Sequence, residues 1–131
     1  MILLVEDNPA DVGLVRKALE EHEVGGELLV AADGEIAIQF IEGLDAQPAA
    51  RPDLIIIDLS LPKRSGLEVL ERLRRSAHCG QVSAVILSSS NTQQDQSDTA
   101  RLGASRYISK PSRLEDFLGL GGIFKAMLGS R

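Results

Sequence analysis

Two stretches, Ile2–Val5 and Leu54–Ile57, are apolar at every one of four consecutive positions. A strand with one face in water alternates apolar and polar residues. One that is apolar throughout must be covered on both faces, as happens in parallel sheets. What lies between such runs is then constrained, because parallel neighbours need long crossovers, usually helical. The chain supplies them. Asn8-Pro9 has the form of a helix cap followed by a first-turn proline. Val12, Val15, Ala18 and Leu19 then follow helical spacing to about Glu21. Glu27–Ala31 is a second predicted strand, Asp33-Gly34 a turn, and Glu35–Glu42 a helix with Ile36, Ala37, Phe40 and Ile41 on one face. Residues 43–52, rich in Pro and Ala, are predicted as loop. Leu54–Ile57 is the most hydrophobic strand and is predicted central. A helix over Gly66–Arg75, a strand over Val82–Leu87, a weak polar helix over Gln93–Leu102, a short strand over Arg106–Ser109 and a last helix over Arg113–Leu128 complete the pattern. Gly119, Gly121 and Gly122 weaken that last helix. The reading is α/β: a parallel sheet with helices on both faces and right-handed crossovers.

Composition narrows the class. At 131 residues, 44% apolar and 25% charged, the chain is sized for one domain and is not disordered. The longest apolar run, Met1–Val5, falls far short of the roughly 20 residues of a membrane span, and it has neither the basic flank nor the cleavage site of a signal peptide. Fourteen basic against nineteen acidic residues give a net charge of −5, which argues against direct binding of nucleic acid. The single cysteine, Cys79, excludes an intrachain disulfide and a zinc cluster, and fits a reducing cytoplasm. With three Phe, one Tyr and no Trp, the core is aliphatic and no aromatic platform for sugars or bases exists.

In open parallel sheets ligands bind beyond the carboxyl ends of the strands. Those ends carry Glu6-Asp7, Asp58, Ser88-Ser89 and Lys110-Pro111. Singly each has an ordinary explanation: a first-turn acid, a turn residue, a helix cap, a surface lysine. Converging on one edge they make a site. Close carboxylates repel each other and favour a counter-ion. Mg²⁺ prefers oxygen ligands and is commonly held by one or two carboxylates plus a phosphate. Lys110 can neutralise a phosphoryl oxygen as a point charge, and the Ser88 hydroxyl can donate to another.

These residues resemble the receiver domain of bacterial two-component response regulators, in its single-domain, chemotaxis-regulator-like form. The matching segments are Leu3–Asn8, Asp53–Asp58 with Leu61-Pro62 and Gly66, Val85–Ser88, and Gly103-Ala104-Ser105 leading to Tyr107 and Lys110-Pro111. The resemblance implies a flavodoxin-like, doubly wound (βα)5 fold with sheet order 2-1-3-4-5. It implies that Asp58 accepts a phosphoryl group from a histidine kinase. Asp7, Asp58 and the main-chain carbonyl of Ser60 would bind Mg²⁺, with Glu6 acting at one remove. Ser88, Ser89 and Lys110 would bind the phosphoryl group, Ser88 and Tyr107 would form the switch, and a cis Lys110–Pro111 bond would aim the lysine. The Tyr107 ring is expected outward or mobile before phosphorylation. Two departures from the family pattern, Glu6 for a commoner aspartate and Ser88 for a commoner threonine, remove no required chemical group.

The domain is expected to span residues 1–131 without an output domain. Asn8-Pro9-Ala10-Asp11, the loop before Asp53 and Leu61–Gly66 resemble regulators paired with bacterial phytochrome kinases. An aspartate-nucleophile phosphatase would want an acid where Ser60 stands. A flavin carrier would want a hydroxyl- and glycine-rich loop in place of Asn8–Asp11. A receiver that works purely as an interaction module would not need the intact acidic set. On the last helix Leu114, Phe117, Leu118, Phe124 and Leu128 fall on one arc; Leu120, Ile123 and Met127 fall on a second. So wide an apolar face suggests a homodimer through this helix. A helix break at Gly121-Gly122 is the other explanation, and Lys125, which an unbroken helix would turn toward the core, favours it.

Overall fold

The computed structural model describes residues 1–129. Ser130 and Arg131 lie outside the described residues, and the expected domain boundary lies with them. Five strands alternate with five helices: β1 Ile2–Val5, α1 Pro9–Glu21, β2 Leu28–Ala31, α2 Gly34–Ala46, β3 Leu54–Ile57, α3 Gly66–Arg74, β4 Ser83–Ser88, α4 Gln93–Arg101, β5 Arg106–Ser109 and α5 Leu114–Gly129. All strand pairs are parallel, in the order β2-β1-β3-β4-β5.

Alternate residues of the central strands feed two cores. Leu3, Val5, Ile55, Ile57, Ala84 and Ile86 face α2 and α3. Ile2, Leu4, Leu54, Ile56, Val85 and Leu87 face α1 and α5. Consecutive apolar residues thus serve opposite faces. The helices begin where the sequence signals them. The Asn8 side chain accepts from the Ala10 amide at 2.9 Å. Asp33 caps α2 through the Ile36 amide at 2.8 Å. Ser65 and Glu68 form a reciprocal capping box on α3.

Two sequence expectations are corrected. The helix predicted over Glu35–Glu42 runs on to Ala46, into the segment read as loop. Leu44 buries the extra turn. The Asp45 carboxylate accepts from the Ser76 hydroxyl at 2.6 Å, the His78 amide at 3.0 Å and Arg72 at 2.9 Å. Those bonds, led by the Ser76 hydroxyl, hold its pKa down at about 2.

The last helix is unbroken through Gly121 and Gly122. Its buried face is Phe117, Leu118, Leu120, Gly121 and Phe124, while Leu114 is 57% exposed. The inward face is therefore rotated toward Leu120 and away from Leu114, and Lys125 is exposed. The cause is α1, the main neighbour of α5. It occupies the second apolar arc, and Ile123, Met127 and Leu128 pack partly buried against the same core.

Candidate functional site

Register builds the site. Val5 pairs with Ile57, and Ile57 with Ile86. The next residues on β1 and β3, Glu6 and Asp58, therefore leave the sheet side by side. Their backbones stay anchored: the Asp58 amide donates to the Val5 carbonyl and the Glu6 amide to the Ala31 carbonyl, each at 3.0 Å. Asp7 follows, exposed. Carboxylate oxygens of Glu6, Asp7 and Asp58 lie within 4.8 Å of one another.

Gly66 fixes the same strand end from the other side. A Cβ there would run into the Asp58 carbonyl oxygen, so only glycine lets the start of α3 close against the segment that presents Asp58. The Gly66 amide donates to the Leu59 carbonyl at 3.2 Å. The Ser60 amide donates to Asp58 Oδ1 at 3.1 Å. That contact holds the carboxylate by one oxygen and leaves Oδ2 toward the cluster.

Lys110 reaches Oδ2. Its Nζ lies 3.3 Å from Asp58 Oδ2, 2.8 Å from Glu6 Oε1 and 2.8 Å from Asp11 Oδ2. The expected cis bond is absent: there is no cis peptide among the described residues, so Lys110–Pro111 is trans. The aim of the side chain does not need it. The Lys110 amide donates to the Ser88 carbonyl at 2.7 Å, continuing the β4–β5 pairing, and this sets the direction of the side chain.

Burial shapes the titration. Glu6 is 2% exposed. Desolvation, opposed by the hydrogen bond from Lys110 and reinforced by Asp58, pushes its pKa from 4.5 up to about 7. For Lys110, burial disfavours the charge. The Asp11 and Glu6 hydrogen bonds and the Asp58 charge outweigh this, so the ammonium is held above its usual range.

Ser88 and Tyr107 meet at Ser90. Ser88 is fully buried, and its Oγ accepts from the Ser90 amide at 3.1 Å. The Tyr107 hydroxyl donates to the Ser90 carbonyl at 2.7 Å. The Ser90 hydroxyl itself donates to Asp95 on α4. The Tyr107 ring, expected outward or mobile before phosphorylation, is half-buried and packs against the α2–α3 core, with its hydroxyl on the Ser90 carbonyl. Ser89 is exposed. The strand-end reading named every member of the carboxylate–lysine cluster except Asp11. The signal available was an acid in the first turn of the helix that leaves the same sheet edge. Thr99 is the one buried residue of α4, in keeping with a weakly held helix.

Three close carboxylates, two of them buried, suit a hard divalent cation. Comparison with known proteins points the same way. Residues 2–120 match the response regulator receiver domain family. Response regulator Rcp1 of Synechocystis sp. is 33% identical over 117 residues, spanning 88% of this chain and 80% of the relative. A solved structure of the Mn²⁺-bound form of Rcp1 is 32% identical, with a TM-score of 0.88 over 99% of this chain and 95% of that one. The phosphorylated cyanobacterial phytochrome response regulator RcpA is 33% identical, with a TM-score of 0.89 over 99% and 94% of the two chains. The bacteriophytochrome response regulator AtBRR is 35% identical, with a TM-score of 0.75 over 98% and 91%. A receiver domain implies a histidine kinase as partner, and no helix among the described residues is long and apolar enough to cross a membrane. Sheet order, acidic pocket and the match over residues 2–120 agree: this chain belongs to the response regulator receiver domain family, phosphoacceptor signalling proteins with an acidic pocket for Mg²⁺-dependent phosphorylation.

Proposed function

We propose that Asp58 is the phosphoacceptor and that the chain works as a switch in a phosphorelay. The observation that carries this is one cluster: Glu6, Asp7 and Asp58 within 4.8 Å, with the Lys110 ammonium 3.3 Å from Asp58 Oδ2. An Asp58 oxygen attacks the phosphorus of a kinase phosphohistidine. A P–O bond forms, the P–N bond breaks, and the imidazole leaves. Asp7, Asp58 and the Ser60 main-chain carbonyl would hold Mg²⁺, with Glu6 at one remove; the cation, when bound, neutralises charge on the transferring oxygens. Lys110 supplies a second positive charge. The Ser88 hydroxyl, whose oxygen accepts from the Ser90 amide, has its own O–H to donate to a phosphoryl oxygen, and Ser89 lies at the mouth. Because Ser90 also holds Tyr107 and Asp95, a shift of Ser88 toward the phosphoryl group is felt by β5 and α4 together. Pro111 keeps the strand from continuing past Lys110.

Acetyl phosphate with Mg²⁺ is expected to add one phosphoryl group, and Asp58→Asn to add none, by intact mass. Equal incorporation in the variant would overturn the assignment.

RcpA and AtBRR support the finer reading of the partner. RcpA and AtBRR are regulators of phytochrome type by name, so the kinase proposed here is a phytochrome-type sensor, acting in the cytoplasm. Phosphotransfer profiling against purified kinases tests it. A homodimer on α5 keeps a narrower footing. Leu120 is spent on the core, and Leu114 lies about 180° around the helix from Ile123, so what remains for a second copy is the half-buried Ile123 and its surroundings. Light scattering at micromolar concentration is expected to give twice the chain mass, and Ile123→Glu the single mass with Asp58 still phosphorylated. A monomeric wild type, with and without a phosphoryl analogue, would assign the whole apolar face to packing on α1.

A further inference from the structure

Asp11 belongs to the cluster but has no part in the site derived above. Its Oδ2 lies 2.8 Å from Lys110 Nζ, as close as Glu6 and closer than Asp58 at 3.3 Å. An acid in the first turn of a helix is ordinary and complements the helix dipole. Two observations go further. The cap of α1 is already filled by Asn8, which takes the Ala10 amide. And the Asp11 side chain is turned in, 20% exposed, onto a lysine that is itself 12% exposed.

An ammonium has three N–H donors and no acceptor. Glu6, Asp11 and Asp58 each take one. Glu6 and Asp58 are also oxygens that the cation and the phosphoryl group need. Without Asp11 the ammonium would settle fully on those two, as an internal competitor of both. With it, Lys110 has a carboxylate to stay on while the others are claimed.

We propose that Asp11 is a positioning residue that parks the Lys110 ammonium on the α1 side of the site, lowering its competition for Glu6 and Asp58. This rests on the reading that Lys110 serves the phosphoryl site. Asp11 touches neither the nucleophile nor the incoming group and acts only through Lys110.

A double-mutant cycle on the full chain tests it. Mg²⁺ affinity is measured by calorimetry for the wild type, Asp11→Asn, Lys110→Met and the double variant. The rate of Asp58 phosphorylation by acetyl phosphate is followed at saturating Mg²⁺. Asp11→Asn is expected to weaken Mg²⁺ binding by about tenfold, the scale of one charge-assisted hydrogen bond, and to slow phosphorylation. Asp11→Glu, which keeps the carboxylate, recovers most of both. With Lys110 already replaced, Asp11→Asn is expected to have little further effect on either. An Asp11→Asn loss of equal size in the presence and absence of Lys110 would show a through-space charge effect and overturn the proposal, as would no loss at all. If Lys110→Met alone changes neither affinity nor rate, the role of Lys110 fails, and the parking role fails with it.

Discussion

Gly121→Ala is expected to destabilise the protein by about 1–3 kcal/mol, whereas Gly119→Ala and Gly122→Ala are expected to stabilise it by up to about 1 kcal/mol each. The three glycines lie in one helix and differ only in what faces them. A Cβ on Gly121 would run into the Ala18 carbonyl oxygen and the His22 ring of the α1 C-terminus. Ala18 offers backbone, which cannot swing aside, so the two helices must separate. A Cβ on Gly122 would meet His22 ring atoms at 3.5 and 3.6 Å, ordinary contact, and one on Gly119 would meet nothing within 4 Å. There, only the helix propensity changes. Urea unfolding of the three single variants reads the signs directly. A stabilising Gly121→Ala would mean that α1 and α5 do not meet at this glycine.

That contrast shows where the sequence was legible and where it was not. The buried strands could be read because β3 and β1 are apolar on both faces. Glu6, Asp58 and Lys110 could be read because parallel strands in register must deliver their following residues to one edge. Glycine is ambiguous by itself. At Gly121 it looks like a breaker, and only the approach of α1, remote in the chain, makes it a contact. The same non-locality hid the last turn of α2. Residues 43–46 carry no strong helix signal, and their support is Leu44 in the core and Asp45 bonded to Ser76, His78 and Arg72 beyond β3. Asp11 was missed because a first-turn acid has a sufficient local explanation. The inward Tyr107 depends on a carbonyl of the β4–α4 loop, which no periodicity forecasts.

The second large effect is a pH dependence set by Glu6. Its pKa rises from 4.5 to about 7 in the folded chain, chiefly through desolvation. Between those values the folded chain keeps a proton that the unfolded chain has released. Stability without divalent cation is therefore expected to be highest, as far as Glu6 contributes, below its unfolded pKa and to fall as pH rises through about 7. The full loss is about 3 kcal/mol, from the size of the shift. Glu6→Gln keeps the shape and removes the titration. In chelator it is expected to match the wild type near pH 5 and to exceed it near pH 8, with the difference opening across the Glu6 window. Asp45 works in the opposite sense and elsewhere: its depressed pKa, about 2, adds stability above its ordinary range that is lost only as pH falls through that value. The two windows do not overlap, so the Glu6 slope can be read alone. Melting curves in chelator from pH 5 to 8, for wild type and Glu6→Gln, give the measurement. Parallel curves would show that Glu6 is ionised throughout and that Lys110 and the helix ends already offset its burial. A wild-type decline that Mg²⁺ reverses, absent in Glu6→Gln, would show that the cost of burying this carboxylate is what holds the site ready for a cation.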